Sequence, residues 1–247
     1  MRKSPTSDVQ PQIAQIKGAY DSLAPVYDNT YLSPICLAEN DVIFSFLHHL
    51  LPLEEGPDVL ELACGTGLLL DGYPVHAADY TGLDISPAMI AEAKKKYPGH
   101  HFQIGDMHDL SAIPSGSIDR CICIFGGLSY ALRPIVLLGE LRRVLRTGGQ
   151  FFLMAYSPRY LDRPSYILNQ HKMTIPTSLH TAHSWRFLFS QLYGFEEVSI
   201  QGFHAYVEML FPHASRRFLR TALTLEAATI GQLTPDACYF HIITGRK

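Results

Sequence analysis

The stretch Asp58-Val-Leu-Glu-Leu-Ala-Cys-Gly-Thr-Gly-Leu68 decides the fold. Val59, Leu60 and Leu62 form a short apolar run between turn residues, the pattern of a central parallel strand covered on both faces. Gly65-Thr66-Gly67 then removes side chains where the backbone must bend sharply and let a ligand come close. Leu68, Leu69 and Leu70 are expected to open a helix whose free N–H groups face the turn. A strand, a glycine turn and a helix N-terminus together form a cradle for a cofactor.

Two cofactor classes use such a cradle. A dinucleotide fingerprint reads G-x-G-x-x-G, and Leu70 stands where its third glycine would allow close helix–strand packing. Glu61, just before the glycines, would set a like charge beside a pyrophosphate and suits a ligand that carries an ammonium group. A second strand is expected over residues 80–83, with Asp84 at its end and Ser86-Pro87 as N-cap and first residue of the next helix. Asp84 follows the glycine turn at close to the spacing at which an acid reaches a ribose diol, a distance that fits either cofactor.

Five segments occur in order: Glu61-Leu-Ala-Cys-Gly-Thr-Gly67, Gly82-Leu-Asp-Ile-Ser-Pro-Ala-Met-Ile90, Gly105-Asp-Met107, Ile118-Asp-Arg-Cys121 and Leu141-Arg-Arg-Val-Leu-Arg-Thr-Gly-Gly149. This series resembles the class I S-adenosylmethionine-dependent methyltransferases, particularly those acting on small molecules. The resemblance covers residues 20–156 well and the last hundred or so only in outline. It implies a Rossmann-like α/β fold with seven strands in the order 3-2-1-4-5-7-6, the last antiparallel, and helices on both faces. It also implies S-adenosylmethionine as cofactor, contacted by Glu61, Ala63, Gly65 and Gly67 at the first turn and by Asp84, Ile85 and Met89 at the second. In the resembled family an acid at the position of Asp106 hydrogen-bonds the adenine amino group. Ile85 would pack on the ring, and Met107 would add contact.

Composition sets the outer limits. A chain of 247 residues at 47% hydrophobic can bury a full core and matches one large α/β domain. With 20 basic and 23 acidic residues, net charge −3 and no long run of either sign, no nucleic-acid partner is expected. The uncharged stretch 121–132 falls short of the ~20 residues of a membrane helix, so no membrane partner is expected either. Residues 1–12 are polar and lack the apolar core of a signal peptide. The five cysteines include no C-x-x-C pair, and Cys121 and Cys123 share one face of a predicted strand, as small buried hydrophobes do. No metal site, a cytoplasmic location and a monomer or homodimer are the expectations.

Outside the cradle, helices are expected over 13–24 and 35–51. The segment Tyr20-Asp-Ser-Leu-Ala-Pro-Val-Tyr-Asp28 resembles the N-terminal piece that closes over the cofactor in many small-molecule methyltransferases, so residues 13–33 are expected to form a cap, with Tyr27 on the cofactor. Further expectations are a helix over 88–97, a strand over 102–105, a strand over 117–125, a helix over 134–145 stopped by Gly148-Gly149, and a strand over 150–156. Strands alternating with helices of 10–15 residues require a parallel sheet, with ligands beyond the carboxyl ends of the strands. Residues 125–130 should therefore border the transferred methyl group, with Phe125 among the cofactor contacts, and Tyr20, Tyr130 and Tyr156 are assigned to the substrate pocket.

Residues 157–182 are expected to be a lid, because a connection this long is rarely a plain loop. Residues 204–235 are expected to be an insertion containing a helix over 215–229, after a helix over 185–193 and a strand over 196–201; a last strand is expected over 238–244. A phenol or hydroxyl acceptor needs a base. Of the twelve histidines, His204 at the end of the sixth predicted strand is the first candidate and His183 the second. An amine or carboxylate acceptor needs none. A dinucleotide-dependent oxidoreductase and a catalytically silent binding scaffold are the alternatives to methyl transfer.

Overall fold

All four residues of β1 (Val59–Leu62) are buried, because the strand is hydrogen-bonded in parallel on both edges, to β2 (Tyr80–Asp84) and to β4 (Ile118–Cys123). The computed structural model describes residues 9–53, 56–161 and 175–247. β3 (His101–Ile104) extends the sheet beyond β2, and β5 (Leu145–Tyr156) extends it beyond β4, both in parallel. β7 (Phe240–Arg246) then pairs antiparallel with β5 and with β6 (Glu196–Phe203), closing the order 3-2-1-4-5-7-6. This is the Rossmann-like arrangement that the resemblance implies.

The two-residue period of the strands divides the core between the faces of the sheet. Ile122, Phe152 and Met154 pack with Val42 and Leu47 of α2 (Pro34–Leu50) and with Leu219 and Leu223 of α8 (Arg216–Ala228). Cys121, Cys123, Phe151 and Leu153 point the other way. They meet Leu137 and Leu141 of α5 (Pro134–Val144), and Trp185 and Phe189 of the segment that starts as α6 (Ala182–Arg186). Phe151, Phe152 and Phe189 are fully buried, and each ring contributes about 1.5–3 kcal/mol relative to solvent exposure.

Local rules place several boundaries. Ser33, Ser86 and Ser215 each accept a backbone N–H from the first turn of α2, of α4 (Pro87–Lys96) and of α8. Three expectations change. The helix after the glycine turn is a single turn, α3 (Leu69–Gly72), because Tyr73 leaves the helical region and buries its ring in the core. Gly148-Gly149 does not precede β5 but lies inside it, where the pairing with β4 shifts register; Gly148 has φ 77°, as a bulge allows. The helix that begins with α6 widens into π-type winding over Phe187–Leu192, which seats Phe189 beside Trp185.

Preceding the sheet, over the residues expected to form a cap, lie α1 (Val9–Leu23) and two 3-10 turns, Ala24–Val26 and Asp28–Tyr31; α1 lies against α4. In the expected insertion, α7 (Val207–Leu210), α8 and α9 (Ile230–Leu233) follow β6, and α8 rests on α2. Of the expected lid, residues 162–174 lie outside the described residues, while Ile175 is buried beside Tyr130 and Tyr156.

Candidate functional site

Five parallel strands end on one edge of the sheet, and the turns past β1 and β4 bring left-handed backbone to that edge. Past β1, Ala63 has φ 52°, Gly65 φ 53° and Gly67 φ 83°, so three residues of one turn are left-handed. Past β4, Phe125 has φ 55°. For Ala63 and Phe125 this conformation costs about 1–3 kcal/mol, and strain of this kind concentrates at ligand sites.

Three carboxylates converge on this edge. Glu61, 1% exposed, accepts the Tyr80 hydroxyl. Burial pushes its carboxyl up to about 8; the Tyr80 bond opposes the rise, and the Asp84 charge adds to it. Asp84 accepts the Gly65 N–H on Oδ2 at 2.9 Å and the Ser86 N–H on Oδ1 at 2.8 Å, so it ties the glycine turn to the start of α4. Burial raises it to about 6 against those two bonds. Asp106 behaves oppositely: burial would raise it, but hydrogen bonds from the His108 ring and backbone and the Arg133 charge hold it below the ordinary range. His108 Nδ1 is 2.5 Å and its backbone N 2.9 Å from Asp106 Oδ1, and His108 Nε2 accepts the Arg133 N–H at 3.2 Å.

The cap roofs the edge and is fastened by two acids. Asp21 accepts the Ser86 hydroxyl at 2.6 Å and Lys17 at 2.6 Å. Asp28 accepts the Thr66 hydroxyl of the glycine turn and Lys96 Nζ at 2.8 Å. Tyr20, Tyr27 and Tyr31 are half-buried in this cap, and the desolvation of their hydroxyls raises all three phenols above their usual value, so they are neutral donors near pH 7.

Between cap and strand ends lies a partly enclosed pocket lined by apolar and aromatic side chains with a few converging polar groups, the make-up of small-molecule and cofactor sites. Of the predicted residues, Tyr20, Tyr27, Glu61, Ala63, Gly65, Asp84, Ile85, Asp106, Met107, Phe125 and Tyr130 line it together. Gly67 stands behind the turn, where a Cβ would come within 3.1 Å of the Tyr97 ring. Met89 is fully buried under the cap with Leu23 and Ala24. Tyr156 forms the next layer: its ring is 6.4 Å from that of Tyr130 and covers Gly126, whose missing Cβ would otherwise sit 2.7 Å from it.

The two histidines expected to act as base do not line the pocket. His204, 9% exposed with φ 61°, directs Nδ1 to Glu39 of α2, and although burial opposes it, the Glu39 charge raises its affinity for a proton. A base must reach the proton it abstracts, and an imidazole engaged with Glu39 away from the pocket lining does not meet that condition. His183 is exposed on α6.

Gly127, within the segment expected to border the reacting group, lines the pocket too, whereas sequence reasoning missed Ile13, Ile16, Leu68, Ile124 and His108. The apolar ones carry no signal that separates a pocket wall from a core. His108 did carry one: an aspartate two residues before a histidine at a strand end is the pattern of an Asx-turn, here closed by the His108 N–H. Among the described residues no group of three or more His, Cys, Asp and Glu side chains is arranged to hold a metal, and no helix is long and apolar enough to cross a membrane.

A family model for a methyltransferase domain matches residues 60–153, the segment that supplies all three carboxylates. Demethylmenaquinone methyltransferase of Beutenbergia cavernae is 30% identical over 150 residues, which cover 58% of this chain and 58% of that protein. Trans-aconitate 2-methyltransferase of Methylobacterium nodulans is 34% identical over 121 residues, covering 47% of this chain and 44% of that protein. The chain thus spans about half the length of the curated relatives it matches. Among solved structures, an S-adenosylmethionine-dependent methyltransferase of Thermotoga maritima, described as a possible histamine N-methyltransferase, aligns with a TM-score of 0.64 at 17% identity over 94% of this chain and 99% of that one. At that identity the likeness is one of fold.

Proposed function

This chain belongs to the class I S-adenosylmethionine-dependent methyltransferases through residues 60–153, and from that membership we propose that it methylates an oxygen, nitrogen or carbon atom of a small molecule. The observation that carries the proposal is Glu61: a buried acid on a pocket wall, paired with a hydroxyl and with no cation among the described residues. A buried acid in that state is stabilised by an incoming ammonium group, such as the one on the methionine end of the cofactor. Asp84 keeps lone pairs beyond its two backbone bonds for a ribose diol, and Asp106 is ionised to accept an amino group. Ile85 and Met107 supply apolar walls for a base.

When bound, S-adenosylmethionine supplies an electrophilic methyl group, displaced in line from sulfur. The chain's part is to orient the reactants and exclude water, and positioning of this kind contributes up to ~7–11 kcal/mol in the best-oriented intramolecular cases. Tyr20 and Tyr130 line the same pocket and, with neutral or hydrogen-bonded phenols, orient the acceptor. Transfer proceeds by proximity, without His204 as base. The names of the relatives suggest first acceptors to try, demethylmenaquinone and trans-aconitate.

The test is calorimetry with S-adenosylmethionine, S-adenosylhomocysteine and NAD, followed by incubation with methyl-labelled donor and a metabolite extract. Binding of the first two and a labelled small molecule support the reading. Tight NAD binding without an adenosylmethionine signal would give the site to a dinucleotide, and donor binding without any labelled product would leave a binding scaffold.

A further inference from the structure

His108 is buried, with 2% of its side chain exposed, and both ring nitrogens are engaged. A backbone N–H can only donate, so the Arg133 N–H at 3.2 Å makes Nε2 an acceptor. The ring proton is therefore on Nδ1, where it is donated to Asp106 Oδ1. Together with the His108 N–H, this places two donors on one oxygen of the carboxylate. The other, Oδ2, accepts no hydrogen bond among the described residues and lies 3.8 Å from Arg133 Nη2. Arg133 itself holds a buried Nε without a hydrogen-bond partner among the described residues. A guanidinium so placed competes for the carboxylate, and the two bonds from His108 hold Asp106 out of a bidentate clamp.

We propose that His108 is a positioning residue for base recognition, fixing Asp106 so that Oδ2 accepts the exocyclic amino group of adenine. The inference rests on the reading of the pocket as a site for an adenosyl methyl donor, and it goes beyond that reading in assigning base selectivity to a histidine in the adjoining turn. An ionised carboxylate accepts from an amino group and repels the carbonyl oxygen that hypoxanthine carries at the same position. Sites built this way reject the mismatched analogue strongly.

The experiment uses the full chain and measures affinity for S-adenosylhomocysteine and S-inosylhomocysteine in the wild type, His108→Ala and His108→Asn; asparagine places an amide N–H close to where Nδ1–H stands. The wild type should prefer the adenosyl compound by roughly ten- to hundred-fold, the worth of one charge-assisted hydrogen bond. His108→Ala should lose most of that preference by weakening the adenosyl compound alone, and His108→Asn should restore it. If His108→Ala keeps the preference, or weakens both compounds alike, or if asparagine fails to rescue, the residue is structural only. Failure of the wild type to bind either compound overturns the methyl-donor reading and this inference with it, whereas binding with a preference indifferent to His108 overturns this inference alone. Nitrogen-15 shifts of the wild-type ring give a readout that needs no variant. They should show a bare Nε2 and a protonated Nδ1, and the opposite tautomer would sink the proposal.

Discussion

Glu61 sits in an environment that opposes its own charge, which makes it a sensor of the ligand. At pH 6 its carboxyl, raised to about 8 by burial, carries a proton. An ammonium group arriving beside it favours the carboxylate, so that proton must leave on binding. Affinity for S-adenosylhomocysteine should therefore rise with pH, by up to about tenfold per pH unit below 8, and stop rising where the ligand's own amine, with a pKa near 8, begins to lose its charge. Calorimetry in buffers of different ionisation enthalpy should detect the released proton at pH 7. Glu61→Gln should abolish both slope and proton release, and a variant that kept them would move the ammonium group elsewhere. Asp84 is the second case. Asp84→Ala removes acceptors for the ribose, at ~1.5–3 kcal/mol for each charge-assisted bond, and also strands the Gly65 and Ser86 N–H groups. Weaker binding together with a lower melting temperature is expected; an unchanged affinity would place the ribose away from Asp84.

Elements differ in how firmly they hold this site. The strand ends are fixed by the sheet, but the cap rests on few anchors: Asp21 on the start of α4, and Asp28 on Thr66 and Lys96. Its inner face, Ile13, Ile16, Tyr20 and Tyr27, borders the pocket, so ligand completes the surface it packs on. Hydrogen exchange over residues 9–31 should slow when S-adenosylhomocysteine is added, and Asp28→Ala should raise exchange in the free protein while leaving β1 and β4 protected. Equal protection with and without ligand would make the cap a fixed wall. The sequence carried the strand-end acids openly, because Glu61, Asp84 and Asp106 each close an apolar run before a turn. It carried the buried Cys121 and Cys123 by the two-residue period. It did not carry the one-turn length of α3 or the π winding after Arg186, which depend on where Tyr73 and Phe189 are seated in the core. Nor could it show that His204 meets Glu39, since nothing local links residues so distant along the chain.

Across the whole molecule, the groups that shape the site also set how stability responds to pH. Glu61 has a folded value of about 8 against 4.5 for the free side chain, so between those values the folded chain holds a proton that the unfolded chain has released. The stability this represents is complete below 4.5 and disappears as pH rises through 8. Asp84, raised from 3.8 to about 6, contributes the same sign over a more acidic window. His204, raised above 6.5 by Glu39 despite its burial, also gives stability that is complete below 6.5 and is lost as pH rises through its folded value. The depressed carboxylates Asp21, Asp106 and Glu140 act in the opposite direction, but below pH 4 or so, outside this range. All three raised groups therefore push one way between pH 5 and 8, opposed near pH 6 by His180 and His241, whose burial lowers their affinity for a proton. Above pH 7, where those two imidazoles are largely neutral folded or unfolded, the ligand-free melting temperature should fall up to pH 8.5, by an amount reflecting on the order of 1 kcal/mol of lost stability. Glu61→Gln should flatten the larger part of that fall, and Glu39→Gln, which removes the charge that raises His204, should flatten a smaller part confined to pH above 6.5. Saturating S-adenosylhomocysteine should flatten the Glu61 part in the wild type but leave the Glu39-dependent part intact, because His204 and Glu39 lie away from the pocket lining. A melting temperature that stayed level or rose from pH 7 to 8.5 would show that Glu61 is ionised in the free protein, and would remove the buried neutral acid on which the ammonium site is argued.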